Sequence, residues 1–448
     1  MISFLRRLEG GDEENERDYL FAEQVFSFCQ RGNFKRERDM DLFEKCDSDG
    51  GYFGPFRAQD DFFFSRPILD PIPGTTTIFE GKKCIQWSIN NYLGLAENEE
   101  IKAFAVKMVE KYGLSAPMGS RMMTGNTKYH REFEQSLADY LEKEAAVVFN
   151  YGYLGVLGTM SSLVEKNDTI VIDKLSHASM VDGMFLSQGK FRAYKHNDMD
   201  SLESHLKRIN RDRKGGILIV TEGVFGMRGD LADLPNICDL KEKYDARLFI
   251  DDAHGFGVMH ETGKGTAAYF GVQDRIDVYF GTFAKAFAAI GGVSAADKKV
   301  IDWIKYNART QVFAKSMPMV YVEVLKRTLE VIKNGADRRE KMYENANMLK
   351  SGLLNLGYNV GRVPSPITAV YVPAGDLNIG MLIIKKLREQ GIFITGVMYP
   401  VVPKGIILFR MIPTASHSKE EIQKTIEAFK SVRDELNLRL DTLQAAVL

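Results

Sequence analysis

Five short apolar runs, at residues 145–149, 169–172, 216–221, 248–250 and 278–281, alternate with stretches of helical periodicity. The runs are rich in β-branched residues and carry almost no polar position that could face water. Such runs predict strands buried on both faces, the property of a parallel sheet covered by helices. Helical stretches at 202–209 and 234–244 suit the crossovers that parallel strands need. The expected class is therefore α/β. In such a sheet ligands bind beyond the carboxyl ends of the strands, and the polar residues that follow each run become the first place to look for chemistry.

The rest of the 448-residue chain divides around this core. Residues 1–75 read as an N-terminal extension. Charge is dense from Glu13 to Arg38, with Phe and Leu interspersed, which suits either amphipathic helices or a solvated segment, and Gly50-Gly51 and Pro67, Pro71 and Pro73 punctuate its end. Residues 76–330, with a lead-in segment over 76–105, form the large domain. Residues 331–448 form a smaller α+β domain: a helical region over 318–356 runs into it, strands are expected at 368–372, 392–397 and 406–411, and a helix at 379–390. Ser418-x-x-Glu421 is a capping box opening a last helix with Ile422, Ile426, Phe429 and Val432 on one face.

Lysine and arginine total 59 against 60 aspartates and glutamates, a net charge of -1. No bulk field argues for nucleic acid. Cys29, Cys46, Cys84 and Cys238 are scattered without a C-x-x-C pair, which disfavours a disulfide framework or a zinc site and fits a reducing cytoplasm. No metal site is expected: His254 and His260 lack H-E-x-x-H spacing. Met1–Leu8 is too short for a signal peptide's apolar core. No apolar run approaches the ~18 residues of a membrane span, although peripheral contact with a membrane surface is left open.

The strand-end residues have a common chemistry. Asp251 closes R-L-F-I-D, and Lys285 follows the last run in G-T-F-A-K-A. An amine able to form a Schiff base and a carboxylate able to hold a protonated pyridine nitrogen are what pyridoxal phosphate requires of a protein. Each residue also has a plainer reading: Asp251 as a helix N-cap, with Asp252 the better structural candidate, and Lys285 as a surface lysine at a helix start. His254 suits either a bond to the cofactor or substrate or a satisfied loop position. His177, after the run at 169–172, suits stacking on a heteroaromatic ring or a place in the core. Gly152 and Tyr153 open an apolar helix after the run at 145–149, where backbone N–H groups attract anions. Thr282 has a hydroxyl for a phosphate. Arg410 ends G-I-I-L-F-R and needs either a substrate carboxylate or a structural ion pair.

Taken together, the chain resembles the α-oxoamine synthase family of pyridoxal phosphate enzymes from about Ile89 to Leu436. The motifs, in order, are N-N-Y-L-G-L (90–95), G-S-R-M-M-T-G-N-T-K-Y-H (119–130), L-S-H-A-S (175–179), T-E-G-V-F-G-M-R-G-D (221–230), D-D-A-H-G (251–255), T-F-A-K-A (282–286) and R-M-I-P-T-A-S-H (410–417). The resemblance implies the type I aminotransferase-like fold, with a mainly parallel seven-stranded sheet, and a homodimer with active sites at the subunit interface. It implies Lys285 as the Schiff-base lysine, Asp251 as partner of the pyridine nitrogen, His177 as the stacking histidine and His254 near the phenolic oxygen. Gly152, Tyr153 and Thr282 would hold the phosphate, Arg410 the substrate carboxylate, and Asn90 would lie on the substrate side. Two positions depart from the pattern. Ala284 replaces a serine or glycine. Ala314-Lys315 stands where the family has a serine and threonine that reach the neighbouring subunit's phosphate, so either Lys315 or Ser316 would take over that contact.

The chemistry so implied is condensation of an amino acid with an acyl thioester, on coenzyme A or a carrier protein, with loss of carbon dioxide. Met122-Met123-Thr124-Gly125 and E-G-V-F-G-M-R-G are most similar to those of bacterial serine palmitoyltransferases. L-serine and a long acyl chain, giving a 3-ketosphinganine-type aminoketone, are therefore the leading expectation. Cysteate, glycine and alanine are the alternatives. A non-catalytic partner subunit would lack the lysine, and a plain aminotransferase would not carry the acyl-transfer motifs.

Overall fold

The computed structural model describes Phe43, Cys46 and residues 66–72, 74–399 and 401–440. The segment from Glu13 to Arg38 lies outside the described residues. The strands are β1 (Asp70–Pro71), β2 (Thr76–Phe79), β3 (Lys82–Gln86), β4 (Ala145–Phe149), β5 (Thr169–Asp173), β6 (Lys190–Tyr194), β7 (Ile217–Glu222), β8 (Arg247–Asp251), β9 (Val278–Thr282), β10 (Gly292–Ala296), β11 (Thr368–Tyr371), β12 (Ile392–Phe393), β13 (Gly396–Val397) and β14 (Leu408–Met411).

Seven of them form one sheet in the order β4-β10-β9-β8-β7-β5-β6. All are parallel except β10, which runs against both β4 and β9. The result is the type I aminotransferase-like fold expected from the sequence. The continuous apolarity of the strands has a direct structural correlate. Alternate residues enter two different cores, Val148, Val171, Ile219 and Ile250 one, Val147, Ile170, Val220 and Phe249 the other. Side chains of successive strand residues point to opposite faces, so a strand covered on both sides has no position for a polar residue.

The carboxyl ends of β4, β5, β7, β8 and β9 share one edge of the sheet. Four of the five release a site candidate there: Gly152 after β4, His177 after β5, Asp251 ending β8, Thr282 ending β9.

The seven-stranded sheet also has two strands that the apolar runs did not announce. β6 (K-F-R-A-Y) is an edge strand with charged positions. β10 (G-V-S-A-A) is made of small residues because the helix Gly152–Leu163 lies close against it. Thr159 Oγ1 and Ser294 Oγ are hydrogen-bonded at 2.7 Å between the two, and a Cβ on Gly155 or Gly292 would come 2.7 Å from the Phe280 ring. Close approach selected small side chains over strand-forming ones.

The C-terminal unit has its own core, with Leu349, Leu353, Ile383, Phe409, Ile422 and Phe429 buried. The helix Lys419–Glu435 begins with the expected capping box: Ser418 Oγ accepts from the Glu421 N–H and the Glu421 carboxylate from the Ser418 N–H. One expectation is corrected. The run 392–397 is two strands in two sheets, β12 beside β3 and β13 beside β14. Ile394 and Thr395 between them turn the chain, held by Thr395 N–H donating to Ser88 Oγ at 2.9 Å. The lead-in segment, expected as part of the large domain, is drawn into this unit too, since Ile85 and Trp87 belong to its core. The helix over 318–356 is likewise two, Met319–Lys333 and Ala336–Asn355, parted at Gly335.

Candidate active site

Lys285 sits in the loop between β9 and β10, in a turn and not at a helix start. The loop is held from below by aromatic packing: Phe283 and Phe287 are fully buried, and Phe287 stacks on Phe256 with ring centroids 4.6 Å apart. The Ala288 N–H donates to the Lys285 carbonyl at 2.9 Å, and the Ala289 N–H to that of Phe283 at 2.9 Å. Burial lowers the Lys285 ammonium pKa to about 8, against the pull of Asp251. The amine is thus easier to deprotonate than an ordinary lysine.

The two adjacent aspartates are opposites. Asp252 is fully buried and saturated with donors: Thr266 N–H at 2.7 Å, Thr266 Oγ1 at 2.6 Å and Tyr279 OH at 2.8 Å. It ties the loop after β8 to the start of the short helix Thr266–Tyr269. Among the described residues the Asp251 carboxylate accepts only the Ala253 N–H, at 3.1 Å on Oδ1. It is not a helix cap. Burial raises its pKa while Lys285 and His177 lower it. A buried carboxylate with one weak partner calls for a cation.

Around this pair the other candidates divide into two groups. On the β4 and β9 side, Gly152 opens its helix, and Tyr151 at the cap provides no side-chain hydrogen bond. First-turn amides have no partner within their own helix and form an anion site. A Cβ on Gly152 would lie 2.7 Å from Thr282 Oγ1, so that position must be glycine. Thr282 Oγ1 donates to the Gly291 carbonyl at 3.0 Å in this conformation. The Tyr153 hydroxyl bonds Asp182, and its ring meets that of His177 edge-on at 6.2 Å. His177 is exposed and not in the core. It caps the helix Ala178–Leu186, with Nδ1 accepting the Ser179 N–H at 3.2 Å. That bond fixes the ring's orientation.

On the other side, Arg410 projects from β14. Its Nε donates to the Gly226 carbonyl, and its Nη2 to Asn90 Oδ1 at 3.0 Å. Among the described residues it has no ion pair with a carboxylate, so the structural salt bridge weighed from sequence is not what holds it. His254 is buried and receives the Tyr92 hydroxyl on Nδ1 at 2.8 Å. Burial, then Lys285 and Arg410, push its pKa well down, which keeps the imidazole neutral. Asp251, His177, His254 and Arg410 each lie within electrostatic reach of Lys285.

Three contributors lacked an assigned role in the sequence reading. Tyr92 orients His254. Glu222, ending β7 directly across from Asp251 in the sheet register, is buried, and burial with Asp251 raises its pKa well above the ordinary carboxyl range. Gly226 offers its N–H to Glu222 at 3.2 Å and its carbonyl to Arg410, and a Cβ there would collide with His254 Nε2. All three stand inside motifs already singled out, so motif membership was the available signal. At the departure near residue 315, Ser316 is buried and donates to the Gly119 carbonyl at 2.9 Å, while Lys315 is exposed.

Comparison with known proteins follows the same lines. Residues 82–429 match the family model described as aminotransferase class I and II. The chain is 44% identical to the cysteate-C-fatty acyltransferase of Capnocytophaga ochracea, covering 88% of this chain and 95% of that one. It is 38% identical to the 8-amino-7-oxononanoate synthase of Alkaliphilus oremlandii, covering 83% and 93%. The solved serine palmitoyltransferase of Sphingomonas wittichii superposes with a TM-score of 0.82 at 28% identity, covering 89% and 99%.

Proposed function

The chain belongs to the aminotransferase class I and II family, in its α-oxoamine synthase branch, and on that premise we propose that it condenses a small amino acid with a fatty acyl thioester, releasing the thiol and carbon dioxide. The observation that carries this reading is a convergence. A lysine with lowered pKa, an under-bonded buried aspartate and an arginine without an ion pair open onto one strand-end edge.

The cofactor is pyridoxal 5'-phosphate, and the residues present fit it. The helix start at Gly152 and the hydroxyl of Thr282 suit its phosphate, Asp251 a protonated ring nitrogen, and Lys285 its carbonyl carbon. Bound there, it supplies an electron sink conjugated to the α-carbon of the amino acid. The chain's own residues do the rest. Arg410, preset by the Gly226 carbonyl and Asn90, receives the α-carboxylate in a bidentate pair. Lys285 Nζ removes and returns the α-proton, a task suited to an amine titrating near 8. Asp251, kept ionised by a cation beside it, maintains the ring's pull on electrons. His177 would cover the ring face, and neutral His254, whose Nδ1 accepts from Tyr92, would donate from Nε2 without adding charge.

For the amino acid, L-cysteate is placed first, supported by the 44% identity to a cysteate-C-fatty acyltransferase. L-serine, the leading expectation from the motifs, is the second reading, supported by the fold match to a serine palmitoyltransferase. A homodimer goes with either, with exposed Lys315 and not inward-turned Ser316 as the cation offered to the partner's phosphate. So does a cytoplasmic location: among the described residues no helix is long and apolar enough to cross a membrane.

The test is to supply the purified holoprotein with palmitoyl coenzyme A and, separately, L-cysteate, L-serine, glycine or L-alanine, reading thiol release and product mass. Thiol release with cysteate or serine, and a product lighter by one carbon dioxide, is expected. Release with glycine or alanine alone, or an oxoacid product without thiol release, overturns the reading.

A further inference from the structure

The Val224–Leu231 loop after β7 carries Gly226, and its hold on Arg410 depends on how firmly the loop itself is held. The loop is closed as a tight hairpin: Phe225 N–H donates to the Asp230 carbonyl at 2.9 Å, Gly229 N–H to that of Phe225 at 2.8 Å, and Val224 bridges Leu231. Its outer end is fastened by His196, in the turn after β6. His196 Nε2 meets Asp230 Oδ2 at 2.5 Å, and Nδ1 meets Asp173 Oδ1 at 3.0 Å, at the end of β5. The imidazole ring lies edge-on to Phe225 with centroids 4.4 Å apart. Neighbouring Asn197 adds two bonds, from Nδ2 to the Leu231 carbonyl at 2.7 Å and from the Asp233 N–H to Oδ1 at 3.0 Å. Among the described residues the other titratable groups facing the pair are Arg228, whose Nε lies 3.6 Å from Asp230 Oδ1, Glu222 and Tyr194 beside Asp173, and Tyr371 beside Asp230.

We infer that His196 is a positioning residue for the amino-acid substrate: by bridging Asp173 and Asp230 it fixes the Val224–Leu231 loop, and through the Gly226 carbonyl it fixes the guanidinium of Arg410. The inference rests on the reading of Arg410 as the carboxylate-binding residue. Two carboxylates bracket one imidazole, so the ring must be doubly protonated to donate to both. Burial opposes that charge, but the bonds to Asp173 and Asp230 outweigh it and raise the pKa to about 9. A neutral replacement would leave Asp230 without its charged donor and loosen the hairpin's outer end, which would then be held by Asn197 and by Ser365 Oγ, donating to the Gly229 carbonyl at 2.6 Å. The inner end would then relax, and the carboxylate site with it. Lys285, Asp251, Thr282 and Gly152 stand on other strand ends and would stay in place.

Steady-state kinetics of the holoenzyme with His196→Gln, His196→Arg and Asp230→Asn tests this, with Arg410→Lys as the reference. The account predicts that His196→Gln and Asp230→Asn each raise KM for the amino acid about tenfold, the equivalent of about 1.4 kcal/mol. KM for the acyl thioester and cofactor affinity stay within about twofold of wild type. His196→Arg, which keeps a charged double donor, recovers most of the loss. If both KM values rise while kcat, cofactor affinity and thermal stability fall together, the role is only structural and the inference is overturned. The same follows if His196→Gln and Asp230→Asn both yield insoluble protein, since fixing one loop is not folding the domain. If Arg410→Lys leaves KM for the amino acid unchanged, it is the underlying reading of Arg410 that fails. If Arg410→Lys raises it and the His196 variants do not, the inference alone fails.

Discussion

The proposed cofactor side and the proposed substrate side of this site are built in different ways. Lys285, Asp251, Thr282 and Gly152 each stand at or just past the end of a strand of one sheet. Their relative placement follows from strand register, and neighbouring strands lie about 4.8 Å apart whatever the sequence. The substrate side is collected from remote segments: Asn90 from the lead-in, Gly226 from a hairpin, His254 from a loop and Arg410 from the small domain. A parallel sheet makes the first side rigid at little cost. The second depends on side chain to backbone bonds between units, so it is the side on which substrate choice can change without disturbing the cofactor.

The comparison breaks most visibly at Lys285. Lys285→Ala should reduce condensation by at least about a thousandfold, as expected when a group that exchanges the proton is lost. Amino-acid binding, read by calorimetry, should persist. Next comes the pair of aspartates. Asp251→Asn should lower kcat about a hundredfold with the unfolding midpoint held or raised, because an under-bonded buried charge is removed. Asp252→Asn should do the reverse, costing about 2 kcal/mol in urea unfolding through its three donors. Arg410→Lys should leave cofactor affinity intact and raise KM for the amino acid about tenfold to a hundredfold, the value of a lost charge-assisted bidentate pair.

A smaller effect concerns pH. His196 titrates at about 9 in the folded chain against an ordinary 6.5. A base with a raised folded pKa contributes its full stability below about pH 6.5, and loses it as pH climbs through about 9. Urea midpoints measured across that window should therefore fall in wild type and flatten in His196→Gln. The smallest effect lies far from both sides. Ser418→Ala removes the cap of the helix Lys419–Glu435 and should cost about 1 kcal/mol with kinetics unchanged.

What could be read from the sequence follows the same division. β4, β5, β7, β8 and β9 were legible because burial on both faces leaves apolar runs. The strand-end polar residues were legible because they interrupt those runs. β6 and β10 were not, since an edge position admits charge and a close helix demands small residues, and both erase the apolar signal. The run 392–397 looked like one strand because periodicity records burial and not which sheet does the burying. On the substrate side, Arg410 was conspicuous as a charge ending an apolar strand. Gly226 and Tyr92 stood inside quoted motifs but their contacts with Arg410 and His254 were not legible, since a contact between residues so far apart leaves no local pattern. His196 was silent for the same reason.

The most direct measurement is borohydride reduction of the protein loaded with pyridoxal 5'-phosphate, followed by peptide mass mapping. The account predicts a visible absorbance band before reduction and, after it, one cofactor-derived mass addition on Lys285, absent in Lys285→Ala. A colourless protein, or the addition on any other lysine, would contradict it.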